Sequence, residues 1–309
     1  LNAHLSVDYA RPCASDTVMA FPHSLPLTPH PVLKLGRFSL SLERPLIMGV
    51  VNITPDSFSD GGRFFDSDRA LDHARQLLED GADILDIGGE SSRPGAQPVD
   101  ADEELRRVLP VLDKIVELPV PVSVDTSKPE VMRRAVAAGA AMINDIFALR
   151  APGALDAVAD APVAVCLMHM QGEPRTMQRS PLYRDVVGEV ETFLVERAAA
   201  AVAAGIGQDR IVLDPGFGFG KTAQHNLDLI RALPRLCQAG FPLLAGLSRK
   251  ALFGDIVGRG ATQRGHASAA GALLAAQRGA SIVRVHDVAA TRDCLLVLRA
   301  IDDTAFSLP

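Results

Sequence analysis

Residues 46–51 read LIMGVV, an apolar run without alternation, and at Asn52 the chain changes character to NITPDSFSDGG. The run predicts a strand buried on both faces. The segment after it holds Asn52, Thr54, Asp56, Ser57, Phe58, Ser59 and Asp60, is broken by Pro55 and closes on Gly61 and Gly62, so a polar loop leaves the strand's carboxyl end. The same change recurs along the chain. Candidate strands fall at residues 46–51, 82–87, 121–124, 141–143, 163–167, 210–213, 243–246 and 282–285, and they exit into NITPDSF, GGESSRPG, DTSKP, NDIFAL, MHMQG, DPGFGFGK, LSRK and VHDV. The segments between them have helical character. In the first, Ala70, Leu71, Ala74, Leu77 and Leu78 follow helical spacing, with Ser67 or Asp68 as the expected N-cap and Gly81 as terminator.

An internal repeat sharpens this pattern. Helix, Gly-Ala, strand and polar residue recur as LLEDGADILD, AVAAGAAMIND and LAAQRGASIVRVH, and the fifth residue after the glycine is Asp86, Asn144 and Arg284 in turn. A short strand separates the two positions, so the repeat delivers a functional group to each strand's carboxyl end. Eight βα units predict the α/β class and a (β/α)8 TIM barrel, whose sites lie at the carboxyl face. Residues 33–42, LKLGRFSLSL, predict a short strand or hairpin covering one end. Residues 32–309 form the expected single domain. Residues 1–31, with Pro12, Pro22, Pro26, Pro29 and Pro31, read as a disordered or loosely attached extension.

Charge and composition mainly exclude. A formal net charge of −6 gives no support to a nucleic-acid or anionic-membrane surface, and an anionic ligand must be met by local positive charge. Cys13, Cys166, Cys237 and Cys294 show neither CxxC spacing nor Cys/His pairing, which predicts reduced thiols in a cytoplasmic setting and no zinc site. No run has the length of a membrane span, and the start lacks the basic and apolar segments of a secretory signal. The sequon at Asn52-Ile53-Thr54 is followed by Pro55, and nothing else points to glycosylation.

The strand ends carry the chemistry. DPGFGFGKT is not a phosphate loop, because Pro215 stands where the first glycine is required. It leaves Asp214 at a strand end and a glycine-rich turn whose Phe217 and Phe219 either line a site for a flat ligand or belong to the core. Asp125, Asn144 and Asp214 come from different strand ends that a barrel brings together. Inward-facing carboxylates and an amide need donors, and a heterocycle edge with several N–H groups would supply them; each Asp alone could instead cap its loop. Arg93, Lys221, Arg249, Lys250, Arg284 and His286 also follow strand ends, which predicts an electropositive region suited to phosphate. His169 reads as a satisfied polar residue between Met168 and Met170.

With these motifs assembled, the sequence from about residue 46 onward resembles the dihydropteroate synthase family. It carries NITPDSFSDGG, GGESSRPG, SVDTSKP, a strand-end Asn-Asp, LMHMQG, DPGFGFGK, SRK and RVHDV in that family's order. The resemblance implies condensation of 6-hydroxymethyl-7,8-dihydropterin pyrophosphate with p-aminobenzoate, release of pyrophosphate, a requirement for Mg2+, a cytoplasmic homodimer and sensitivity to sulfonamides. It implies that Asp125, Asn144, Asp214, Lys250, Met168 and Arg284 bind the pterin. Asn52, Ser92, Arg284 and His286 would hold the pyrophosphate, with Asn52 on the metal. Ser92, Arg93, Pro94, Phe219, Lys250 and Ala251 would form the p-aminobenzoate pocket. Asp56, Phe58, Asp60 and Arg93 would serve catalysis from two loops that close over the site, with Gly61-Gly62 as a hinge. The reaction implied is dissociative, with Asp60 stabilising a cation on the pterin methylene.

Two positions depart from the family pattern. Ser92 stands where threonine is common, and Ala251 where many members have a serine facing the p-aminobenzoate carboxylate; activity is expected, with altered affinity for p-aminobenzoate or sulfonamides. Two other readings compete: a pterin-binding methyltransferase subunit on a similar barrel, and a noncatalytic pterin-binding paralogue. The first has no use for the pyrophosphate-binding residues or the closing loops.

Overall fold

The computed structural model describes residues 32–53, 63–91 and 97–304, with the backbone alone at Asn52 and residues 63–66. The expected extension at 1–31, the loop residues Asp56, Phe58 and Asp60 with the Gly61-Gly62 hinge, and Ser92, Arg93 and Pro94 lie outside the described residues.

The alternation of residues 33–42 becomes an antiparallel hairpin, β1 (Val32–Leu35) and β2 (Phe38–Ser41), paired from Val32↔Ser41 to Leu35↔Phe38. The larger sheet contains β3 (Leu46–Asn52), β4 (Ile84–Gly88), β5 (Val122–Asp125), β6 (Met142–Asp145), β7 (Ala164–Met168), β8 (Ile211–Asp214), β9 (Leu244–Ala245) and β10 (Ile282–Val285). Its order is β8-β7-β6-β5-β4-β3-β10-β9, and every pairing is parallel. A parallel bridge between Leu213 and Leu243 joins β8 to the residue before β9 and completes the circuit. This is the expected (β/α)8 barrel with a hairpin at its amino-terminal side.

The strands follow the two-residue period of a barrel wall. Leu85, Ile87, Val122, Val124, Val165 and Leu213 point outward and pack with the helices in the large core, whereas Met48, Ile84, Met142, Ala164, Val212, Leu244 and Ile282 fill the barrel interior. Leu33 and Leu35 of the hairpin join this interior cluster and are fully buried, so the hairpin closes the floor. The Gly36 N–H donates to the Pro162 carbonyl at 2.9 Å and fastens the turn to the barrel.

The helices are α1 (Arg63–Glu79), α2 (Ala101–Ile115), α3 (Pro129–Ala137), α4 (Ala154–Val158), α5 (Val186–Ala203), α6 (Ala223–Arg231), α7 (Leu233–Leu236), α8 (Ala251–Val257), α9 (Gly265–Gln277) and α10 (Val288–Asp302). The expected cap of α1 is corrected: the helix begins at Arg63, a turn before Ser67 and Asp68. Those two polar side chains are tolerated within the helix because Lys114 of α2 donates to Ser67 Oγ at 2.9 Å and to Asp68 at 2.6 Å. Gly81 does end the helix, with φ +105° and with Gly81 and Ala82 N–H groups closing on Leu78 and Leu77 carbonyls.

Candidate active site

Two residues above the apolar floor, the same strands turn polar. Ile84 is followed on its face by Asp86, Met142 by Asn144, Val212 by Asp214 and Ile282 by Arg284, so the interior changes from hydrocarbon to charge within a single period of each strand. Register aligns this layer: Asp125 lies opposite Asn144, and Asp214 opposite Met168. The fifth-residue positions of the internal repeat therefore line one cavity from different sides.

Arg284 is the centre of the layer. Its guanidinium reaches Asp86 Oδ2 at 2.6 Å and Asp125 Oδ2 at 3.2 Å. Burial opposes its charge, yet Asp86 and Asp125 together hold it above its ordinary value. Asp86 is fully buried and its other oxygen, Oδ1, has no hydrogen-bond partner among the described residues. Burial pushes the Asp125 carboxyl up to about 7 against the pull of Arg284. Burial likewise pushes Asp214 up to about 6, although its Oδ1 accepts the Gly216 N–H at 2.7 Å. Lys250 is brought down to about 8 by burial and by Arg284. Three acids and two bases thus sit together with their charges incompletely matched, as a polar ligand-binding site requires.

The glycine-rich turn after β8 frames one side. Gly216 has φ +68°, and a side-chain carbon there would meet the His169 carbonyl oxygen at 1.8 Å, so only glycine allows this approach. The two phenylalanines separate: Phe217 belongs to the large core, whereas Phe219 packs with Met168, Met170 and Met177 and carries the Lys250 ammonium 4.3 Å from its ring centre. The core reading holds for Phe217, while Phe219 lies among Met168, Met170, Met177 and Lys250. Lys221 turns inward rather than into the cavity, although its charge still acts on Asp214. It is 3% exposed and donates to the carbonyls of Phe219, at 3.0 Å, and His169, while lying 2.9 Å from His169 Nδ1. Burial brings Lys221 down to about 7 and, with Lys221 beside it, His169 down to about 3. The pair ties the β7 and β8 loops together.

The remaining cations divide similarly. Arg249, in a left-handed conformation with φ +58°, bonds Asp287 at 2.7 Å, so its charge is partly spent on the neighbouring loop. His286 lies beside Ser248: its backbone N–H and its Nδ1 are both within bonding distance of Ser248 Oγ, at 3.2 and 3.0 Å. Ala251 opens α8 immediately after Lys250. Asn52 ends β3, whose partners on either side are β4 and β10.

Three features were absent from the sequence-derived site. Asp86 carried a signal, since it holds a repeat position, but only the structure shows it bound to Arg284. Ser248 lay within SRK, with nothing local to mark it. The third is Lys128, which bonds Glu90 and, at 2.5 Å, the fully buried Glu104 of α2. Glu90 Oε1 also accepts the Val99 N–H, so this cluster ties the two described ends of the segment after β4 to the loop after β5. A polar residue inside an amphipathic helix gives no sequence sign of such a role. Among the described residues no group of three or more His, Cys, Asp or Glu side chains is placed to hold a metal ion.

Comparisons with known proteins place the chain by sequence and by fold. A family model described as "pterin binding enzyme" matches residues 48–286. A Neisseria meningitidis serogroup C dihydropteroate synthase is 53% identical over 275 residues, covering 87% of this chain and 97% of the relative. The Xanthomonas albilineans dihydropteroate synthase solved with 4-aminobenzoic acid superposes with TM-score 0.84 at 56% identity, covering 91% of this chain and 100% of the other. The same organism's enzyme with 7,8-dihydropteroate gives TM-score 0.81 at 54% identity, covering 90% and 100%.

Proposed function

The chain belongs to the dihydropteroate synthase family, and from that premise we propose that it joins 6-hydroxymethyl-7,8-dihydropterin pyrophosphate to p-aminobenzoate, giving 7,8-dihydropteroate and pyrophosphate. The observation that carries this reading is the convergence of Asp125, Asn144, Asp214, Lys250 and Arg284, from strands all around the barrel, on one mouth. Asp125, Asn144 and Asp214 accept the N–H groups of the pterin edge, Lys250 donates to its carbonyl side, and Met168 and Arg284 pack beside the ring. The raised Asp125 and Asp214 suit this task, because ligand N–H groups supply what burial has withdrawn.

Arg284 and His286 bind the pyrophosphate with Asn52 and Ser92. Asn52 is the residue that would hold Mg2+: an amide oxygen at a strand end fits an ion that takes few protein ligands and completes its shell with phosphate and water oxygens. Bound there, the ion would neutralise phosphate charge. The C–O bond to the pterin methylene breaks with its electron pair leaving on pyrophosphate, Asp60 stabilises the cation left behind, and the arylamine nitrogen then attacks. Proton loss from that nitrogen completes the product. Asp56, Phe58, Asp60 and Arg93 act from the loops, which exclude water, while Ser92, Arg93, Pro94, Phe219, Lys250 and Ala251 shape the p-aminobenzoate and sulfonamide pocket. Lacking a hydroxyl, Ala251 offers the substrate carboxylate only its backbone N–H.

The wider assignments follow the same reading. The chain acts as a homodimer, supported by Leu274 of α9 and Leu296, Val297 and Ile301 of α10, which are exposed apolar residues on two helices packed together. It works in the cytoplasm, supported by the free thiols Cys166, Cys237 and Cys294. The described helices include none long and apolar enough to cross a membrane. Incubation with the pterin pyrophosphate, p-aminobenzoate and Mg2+ is expected to yield dihydropteroate and pyrophosphate in equal amounts. Asp60→Ala should depress turnover far more than pterin binding. Absence of product where an established synthase works would overturn the reaction, and equal loss of turnover and binding would overturn the role of Asp60.

A further inference from the structure

We propose that Ser248 is a positioning residue that holds the ring proton of His286 on Nε2. Ser248 and His286 follow the neighbouring strands β9 and β10 at matched depth, each three residues beyond the Ala245↔Val283 pair. The buried Ser248 Oγ, in a residue 8% exposed, lies 3.2 Å from the His286 backbone nitrogen and 3.0 Å from its Nδ1. A backbone N–H can only donate, so it occupies one lone pair of Oγ. Among the described residues, the acceptor within reach of the hydroxyl hydrogen is then His286 Nδ1. The reverse arrangement, Nδ1–H donating to Oγ, would leave that hydrogen buried without an acceptor, which is costly. Nδ1 is therefore the lone-pair nitrogen, and Nε2 carries the proton and acts as the donor.

The consequence for binding rests on the assignment of His286 to pyrophosphate: with its proton on Nε2, the ring can donate to the leaving group there without first acquiring a proton. Two-bond 1H–15N correlation spectra of the full chain, recorded at about pH 8.5 where an ordinary imidazole is neutral, read the tautomer directly once the His286 signals are identified by their loss in His286→Asn. The wild type is expected to show a pyrrole-type Nε2 and a pyridine-type Nδ1. Ser248→Ala should shift the proton population toward Nδ1 and raise KM for the pterin pyrophosphate about tenfold, the lower end of the scale seen when a metal-bound histidine loses its outer hydrogen-bond partner. Ser248→Thr, which keeps the hydroxyl, should restore both. A wild-type proton on Nδ1, or an unchanged tautomer in Ser248→Ala, would overturn the role of Ser248. An unchanged KM for the pterin pyrophosphate in His286→Asn would instead overturn the pyrophosphate assignment, leaving the spectra to judge Ser248.

Discussion

At the scale of single residues, Asp86 and Asp125 share Arg284 but are unequal partners. Asp86 is fully buried and makes the shorter contact, 2.6 against 3.2 Å, whereas Asp125 is partly open to the cavity and pushed up to about 7. Asp86 is thus the standing counter-ion and Asp125 the one a ligand can engage. Asp86→Asn is expected to cost about 3 kcal/mol in urea denaturation, the order found when one member of a buried ion pair is removed. Asp125→Asn should cost less stability and weaken pterin binding more; the opposite ranking would refute the division. This distinction was not legible in the sequence. The repeat placed Asp86, Asn144 and Arg284 at equivalent strand positions, yet which carboxylate meets the guanidinium depends on barrel curvature, which brings together residues 198 apart. Lys221 shows the converse. Its position after a glycine-rich turn resembled that of a phosphate-binding cation, but the turn carries it inward to His169, and nothing in the local sequence states that direction.

At the scale of elements, the apolar runs and glycine stops were sufficient to find the eight barrel strands within a residue or two, because two-sided burial leaves an unbroken apolar signature. The first helix was misplaced for an equally physical reason. Ser67 and Asp68 are good caps in isolation, and their satisfaction by Lys114 is a contact between helices that local propensity cannot register. The hairpin was legible as alternation, though its contribution is tertiary. Leu35 is completely buried among the barrel-floor residues. Leu35→Ala should destabilise the chain by about 2–5 kcal/mol, measured by chemical denaturation, with KM for both substrates unchanged because the floor lies at the opposite end from Arg284. A selective loss of substrate affinity without loss of stability would contradict that separation.

At the scale of the molecule, the site's charges set a pH dependence of stability. Asp125 at about 7 and Asp214 at about 6 are raised by burial, so the folded chain keeps protons that the unfolded chain releases above the ordinary carboxylate range. The stability tied to this protonation is fully present below about pH 4 and is lost as pH rises through about 6 to 7. Lys221 at about 7 and Lys250 at about 8 are lowered by burial, so between those values and the ordinary lysine range the unfolded chain binds more protons and stability rises with pH. The site's own contribution therefore passes through a minimum near neutrality. Urea midpoints compared from pH 5 to 7 should fall less in Asp125→Asn than in the wild type; parallel curves would show that Asp125 does not carry the effect. The floor has a consequence for traffic as well. A barrel stoppered by Leu33 and Leu35 is a cul-de-sac, and every molecule that uses it passes through one doorway. If, as proposed, the pterin lies against the inner carboxylates and the arylamine nearer the entrance, the pterin would have to be seated first, and p-aminobenzoate alone would meet an unfinished pocket. On that proposal, the order of entry would be set by the end of the barrel that takes no part in the chemistry.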